Sequence, residues 1–351
     1  MSIYRQKPQY TPRPSLLHRL LQALFILLLL AGLASALFLF FFRGYVVDTP
    51  DGPRLELPFL AKREKSAAVF SNDPAVTLPD AAEPSALLQP LHAIRLSTEA
   101  ILDGTAQKEM EKAGCNAVVF DMRDENGALQ YVSSLPLAIE SGASAATPGL
   151  NDAILAMNQN PELYTVARVS CFPDPKLAQV KPELCLLRPS GAPWRDESST
   201  PWLSPNQDAV QQYLLEICEE LSDLGFDEVL LTSCTYPTNG PLSQLYGSED
   251  ESIEALSVTV EDFYGEVRRV LEAKSTRLSI LWEPSPTNDQ NQSYSGQNLE
   301  AIALTADRIW LKGDHDAAVS VFSSRGLSYA NLPFVCVVSK SGSSSYSWAV
   351  L

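Results

Sequence analysis

The sequence predicts a (β/α)8 TIM-type barrel with an irregular last strand, behind one N-terminal transmembrane helix. Three observations carry the barrel. From Leu91 onward, apolar runs of strand length alternate with amphipathic helical stretches without a break. Residues 91–351 number 261, close to the roughly 250 typical of such barrels. No Gly-x-Gly-x-x-Gly follows the first strand, which counts against a dinucleotide-binding sheet.

The chain before the barrel falls into three parts. Residues 1–19 are polar and basic, with Arg5, Lys7, Arg13 and Arg19 and no acids. Residues 20–42 carry no charge and are long enough to span a bilayer with some tilt. The Ala34-Ser35-Ala36 site is followed by further apolar residues, so an uncleaved signal anchor fits better than a cleaved signal peptide. The basic tail predicts a cytoplasmic N-terminus and an extracytoplasmic C-terminal domain at a cell membrane. Residues 43–90, rich in proline and alanine, read as a partly extended stalk or linker, with Leu55–Leu60 able instead to pair with the domain edge.

The barrel elements follow in order. Strands are predicted at 91–97, 116–123, 163–172, 228–232, 277–283, 308–312 and 334–340, with 346–351 as the eighth. Helices are expected at 98–113, near 150–158, through Val210–Leu224, at 252–274, 299–306 and 317–324. The helix before the fourth strand is the clearest. Val210, Tyr213, Leu214, Ile217, Cys218, Leu221 and Leu224 share one face. Ser204 is its predicted cap, with Pro205 at the first helical position and Gln207 completing a capping box, and Gly225 is the left-handed stop. Residues 173–205 are left as a long loop that needs anchors, for which Trp194 and Trp202 are suited.

Composition narrows the partners. The formal net charge is -16, which repels nucleic acid and makes the exterior soluble. The six cysteines form no Cys-x-x-Cys pair and no Cys/His cluster, so neither a metal nor any other cofactor is expected. Cys171 and Cys185, flanking a loop in an exported domain, are the one plausible disulfide.

Four segments, in this order and spacing, carry a resemblance. They are NAVVFDMRDENGALQY (116–131), ARVSCFPDPKLAQVKPEL (167–184), Trp194 with WLSP (202–205), and LGFDEV (224–229). Together they resemble a little-characterised family of glycoside hydrolase-like barrel domains related to the amylase-like enzymes. The resemblance covers roughly residues 91–284 and implies a barrel that handles a polysaccharide or other glycan. It breaks after the fourth strand. There the family's pattern has an Asp-Tyr-x-Arg-Phe-Pro tail, whereas this chain has Thr232 at the aspartate position and Thr235 at the arginine position, keeping only Tyr236-Pro237. In amylase-like barrels the fourth strand supplies the carboxylate that attacks the sugar. A threonine offers no charge to an oxocarbenium-like centre. The resemblance therefore implies a barrel whose standard two-carboxylate chemistry is broken.

Barrel chemistry sits at the C-terminal ends of strands, which picks out the candidates. Glu283, after the fifth strand, is the candidate for remaining acid–base catalysis. Asp121, Arg123 and Asp124 after the second strand are expected to bind sugar hydroxyls, with Arg123 paired to an acid, or to form a charge-satisfied turn around Asn126-Gly127. Arg168 lies inside the third strand and is expected to pair with an acid such as Asp121. Trp202, Tyr236 and Trp282, with Trp194 and Tyr246, are candidates to stack on sugar rings. Asp174 is expected to cap a turn, Asp314 and His315 to be exposed polar residues, and His92 to pack. The sequence names no protein partner.

Overall fold

A computed structural model of the chain describes residues 46–49, 52–55, 90–245, 253–283, 295–328 and 332–351. Contacts divide the chain into two units, 1–76 and 77–351. In the first, Val46–Thr49 and Gly52–Leu55 form an antiparallel hairpin, with Val46 opposite Leu55. Leu55, for which the sequence offered pairing with the edge of the barrel domain, pairs here with Val46. The expected membrane span at 20–42 and Tyr246 lie outside the described residues. Among the described residues no helix is long and apolar enough to cross a membrane.

The second unit is a closed barrel of eight strands. They are β1 (His92–Leu96), β2 (Ala117–Arg123), β3 (Tyr164–Ser170), β4 (Glu228–Thr232), β5 (Arg277–Trp282), β6 (Arg308–Lys312), β7 (Phe334–Val338) and β8 (Trp348–Val350). Each pairs in parallel with the next, and β8 closes onto β1 through Trp348↔His92 and Val350↔Ile94. His92 packs as expected, its ring stacked on Trp348 at 4.9 Å. One ladder is irregular. Between β2 and β3 the register shifts across Asp121/Arg123, a β-bulge at the end of β2.

The helices follow the strands. They are α1 (Glu99–Leu102), α2 (Ala106–Lys112), α3 (Pro136–Glu140), α4 (Leu150–Asn158), α5 (Pro175–Val180), α6 (Asp208–Asp223), α7 (Ile253–Glu272), α8 (Leu299–Thr305) and α9 (His315–Ser324). In α6 the predicted apolar face is buried. Its start differs from expectation. The N-cap is Gln207, without a side-chain bond, and the Ser204 backbone carbonyl instead accepts the Gln207 N–H at 3.1 Å. The intervening turn moves the helix start beyond reach of the Ser204 hydroxyl, so no capping box forms. Gly225, at φ +83°, does end the helix. The stretch after β3 is no open loop. It contains α5, a 3₁₀ turn at Pro182–Leu184, and bridges such as Pro173↔Trp202 and Cys185↔Leu203. Trp194 and Trp202 anchor it from the interior, their indole N–H groups donating to the Pro241 carbonyl and to Asp196.

Two apolar cores result. One lies between barrel and helices. The other plugs the barrel lumen, with Ala93, Val119, Val166, Leu230, Leu281, Trp310 and Val335. Full burial of a side chain such as Leu230 is worth about 1.5–3 kcal/mol. Below the plug the floor is polar. Glu228, wholly buried, accepts from Tyr164 Oη at 2.8 Å, Ser279 Oγ at 2.6 Å and Trp310 Nε1 at 3.2 Å, and forms an ion pair with Arg308. Above the plug, at the C-terminal strand ends, lies the candidate site.

Candidate active site

The alternation that points Val119 and Val166 into the lumen also points Asp121 and Arg168 into its mouth. Arg168 Nε lies 2.6 Å from Asp121 Oδ1, the pairing expected from the sequence. Arg95 on β1 approaches the other oxygen, Nη1 to Oδ2 at 3.5 Å. One carboxylate therefore serves two guanidinium groups.

Across the mouth, β4, β5 and β6 contribute a second group. Thr232 ends β4 and is buried, its hydroxyl 3.4 Å from the Val169 carbonyl. Ser233 follows at φ +46°, a left-handed conformation that costs a non-glycine residue about 1–3 kcal/mol. That backbone aims the Ser233 N–H at Glu283 Oε2, 2.8 Å away. Lys312 on β6 lies 3.4 Å from Glu283 Oε1. Both Glu283 oxygens thus face donors. The Glu283 backbone is fixed as well, its N–H donating to Gln297 Oε1 at 3.0 Å. Thr235 does not reach the mouth. It is buried, and its hydroxyl donates to the Tyr236 carbonyl.

Arg123 is placed differently from the sugar-contacting position the sequence suggested. The bulge after Asp121 breaks the two-residue alternation and turns Arg123 out of the lumen. Its side chain is wholly buried between barrel and helices. It donates to the Ser170 and Cys171 carbonyls and, through Nη2, to Asp174 Oδ2 at 2.5 Å. Asp174 caps α5 as expected, accepting from the Leu177 N–H at 2.7 Å. Asp124 closes its own turn, accepting from the Asn126 and Ala128 N–H groups, each at 2.9 Å. Gly127 completes that turn at φ +78°, and a Cβ there would stand 2.1 Å from Asp174 Oδ1. Gly127→Ala should therefore cost about 2–4 kcal/mol from backbone strain and displaced Asp174 together. Urea denaturation measures this, and a loss below about 1 kcal/mol would refute the packing described.

The candidate stacking residues are also inside. Trp202, Tyr236 and Trp282 are 9, 1 and 2% exposed, and Trp194 is fully covered, so none offers an open ring face. Trp282 alternates with lumen-facing Leu281 and so faces the helices, where Arg325 lies over its ring at 5.9 Å. Asp314 is the N-cap of α9, accepting from the Ala317 N–H at 2.9 Å, and the helix starts at His315, two residues before the predicted start. Two mouth residues were missed, Arg95 and Lys312. Their signal was available, since Arg95 alternates with Ala93 and Lys312 with Trp310.

All six cysteines are free thiols, so the suggested Cys171–Cys185 bridge is absent. Both are buried in the core between barrel and helices, as unpaired thiols. Burial pushes the thiols of Cys185 and Cys218 up to about 12, which keeps them neutral and unreactive. Among the described residues no His, Cys, Asp or Glu side chains gather in threes as for a metal ion. A groove of about 410 Å³ lies away from the mouth, lined by residues of α1, α2 and α4.

A closed parallel barrel with charged side chains at its C-terminal mouth is the architecture of TIM-type barrels. The chain belongs to the family described as "Putative glycosyl hydrolase domain", whose model matches residues 96–310. One solved structure agrees on the fold. The glycoside hydrolase domain of PgaB (BpsB) from Bordetella bronchiseptica is 12% identical, with a TM-score of 0.50, over 75% of this chain and 94% of that one. An α-amylase from Lactobacillus plantarum is 15% identical, with a TM-score of 0.47, over 70% and 61%. A hypothetical protein from Ruminiclostridium thermocellum is 25% identical, with a TM-score of 0.44, over 53% and 96%. No curated protein matches the sequence.

Proposed function

We propose that this chain is a glycan-binding barrel that has lost ordinary glycoside hydrolysis, held at the outer surface of a cell membrane by residues 20–42 with its N-terminus in the cytoplasm. There it binds cell-envelope polysaccharide or serves as an envelope scaffold. The observation that carries the reading is Thr232. At the end of β4, where the resemblance calls for an attacking carboxylate, stands a buried hydroxyl bonded to backbone. The mouth carboxylates nearest to the task, Asp121 and Glu283, are each held by cations. They stand on β2 and just after β5, with β3 and β4 between them.

A second reading has its own support. Glu283 sits at a strand end, is partly open to solvent and is oriented by the strained Ser233. An active glycosidase would use it with Asp121, Asp124 or Asp314. The test is a glycan array probed with the full chain in neutral detergent, followed by turnover assays on every glycan bound. Binding without turnover is expected. Turnover that disappears in Glu283→Gln would establish the second reading instead, and no glycan binding would leave only the scaffold.

A further inference from the structure

The side chains that enter the mouth have a charge unlike that of the whole protein. Among the described residues, Arg95, Arg168 and Lys312 face Asp121 and Glu283, three cations to two anions. The chain as a whole carries -16. The excess is concentrated on the arginine side. Arg168 meets Asp121 through Nε at 2.6 Å, and among the described residues its guanidinium makes no second ion pair. Arg95 meets the same carboxylate only at 3.5 Å and is 45% exposed, against 18% for Arg168. Asp121 can neutralise one guanidinium, not two.

Guanidinium forks match planar or tetrahedral oxyanions, which they bind through paired hydrogen bonds. In a partly enclosed mouth such a contact is stronger than in open water. A neutral sugar would leave the second guanidinium uncompensated, whereas an anionic one completes it. Asp121, touching both guanidinium groups, then positions both forks.

We propose that the mouth takes an anionic glycan, one bearing a carboxylate or a phosphate, with Arg95 and the Nη groups of Arg168 gripping the oxyanion. This rests on the glycan-binding reading above and adds the chemical class to it. The test measures binding of the full chain, in neutral detergent, to three soluble probes: polygalacturonate, polyglycerol phosphate and dextran. Each is measured at low and at high salt. The expected result is binding of one or both anionic polymers, little binding of dextran, and weakening with salt. Arg95→Gln should weaken that binding about tenfold, the loss of one charge-assisted hydrogen bond. Because Arg95 is exposed, this variant keeps the Asp121–Arg168 pair and the fold, which near-ultraviolet circular dichroism checks. Arg168→Gln should weaken binding at least as much.

The two anionic arms decide between carboxylate and phosphate as the source of the oxyanion. Dextran binding that equals or exceeds anionic binding, or anionic binding unmoved in Arg95→Gln, would overturn the inference while the glycan-binding reading stands. No binding to any probe, together with a blank glycan array, would overturn both.

Discussion

Arg123→Met is expected to cost about 3–5 kcal/mol, enough to unfold a marginal domain. The reason is the group left behind. Asp174 is wholly buried, and Arg123 is its charged partner at 2.5 Å. The same guanidinium holds the Ser170 and Cys171 carbonyls at the end of β3. Methionine fills much of the volume but satisfies none of these acceptors. Asp174→Asn should cost less, since the amide still accepts from the Leu177 N–H.

The charge account makes a pH prediction. Burial pushes the Asp174 carboxyl above its ordinary value, and Arg123 and the Leu177 N–H restrain that rise. In Arg123→Met the restraint is weakened and the carboxyl rises further. A carboxyl whose folded value lies above its unfolded one holds its proton more tightly when folded. Its stabilising contribution is then complete below the unfolded value, about 4, and is lost as pH rises through the folded value. The deficit of Arg123→Met relative to the parent chain should therefore shrink between about pH 7 and about pH 5. Urea denaturation at both values checks it. A deficit that is constant or grows on acidification would show that the buried charge is not the cause.

Arg123 also marks the limit of what the sequence made legible. The strands, the order of helices and the closed barrel could be read, because apolar periodicity reports which faces are buried. Asp121 and Arg168 followed from the same alternation. Arg123 did not, because the bulge at Asp121/Arg123 inserts one residue into the pairing and reverses the side on which Arg123 falls. A bulge leaves no periodic trace in seven residues. The aromatic candidates failed for a related reason. A tryptophan at a strand end faces either the lumen or the helices, and Trp282 is set by its neighbour Leu281. The cap at Ser204 failed because three further residues form a turn before α6.

The motifs behind the family resemblance turn out to be largely architectural in this chain. Asp174 of the Asp-Pro step caps α5 and neutralises Arg123. Asp227 of the Gly-Phe-Asp-Glu step accepts from the Thr165 N–H at 2.8 Å and so fixes β4 against β3. These residues build the barrel whatever happens at its mouth. That separates two questions which the resemblance had joined. The fold can be complete while the β4 tail carries Thr232 and Thr235 in place of charged groups.

Glu228, the last residue of that Gly-Phe-Asp-Glu step, is where the separation can be tested. Glu228→Leu is expected to cost about 3–5 kcal/mol, because it strands a buried cation. Arg308 is 2% exposed and would lose its carboxylate. Tyr164, Ser279 and Trp310 would lose their acceptor. Glu228→Gln keeps an acceptor oxygen but not the charge, and should fall between. The double variant Glu228→Leu with Arg308→Met should recover most of the loss, since apolar residues of similar volume often replace a buried ion pair at little cost. Trp310 reports locally, because its indole N–H bonds Glu228 and its fluorescence will shift when that bond is removed. The floor lies at the start of β4, and Thr232 and Ser233 at its end, with the apolar plug of Leu230 between them. Glycan binding per folded molecule should therefore be unchanged in the double variant. A single-variant loss below about 1 kcal/mol would show that the floor network is not what holds the barrel closed. Lost binding in a fully folded double variant would show that floor and mouth are coupled through the plug.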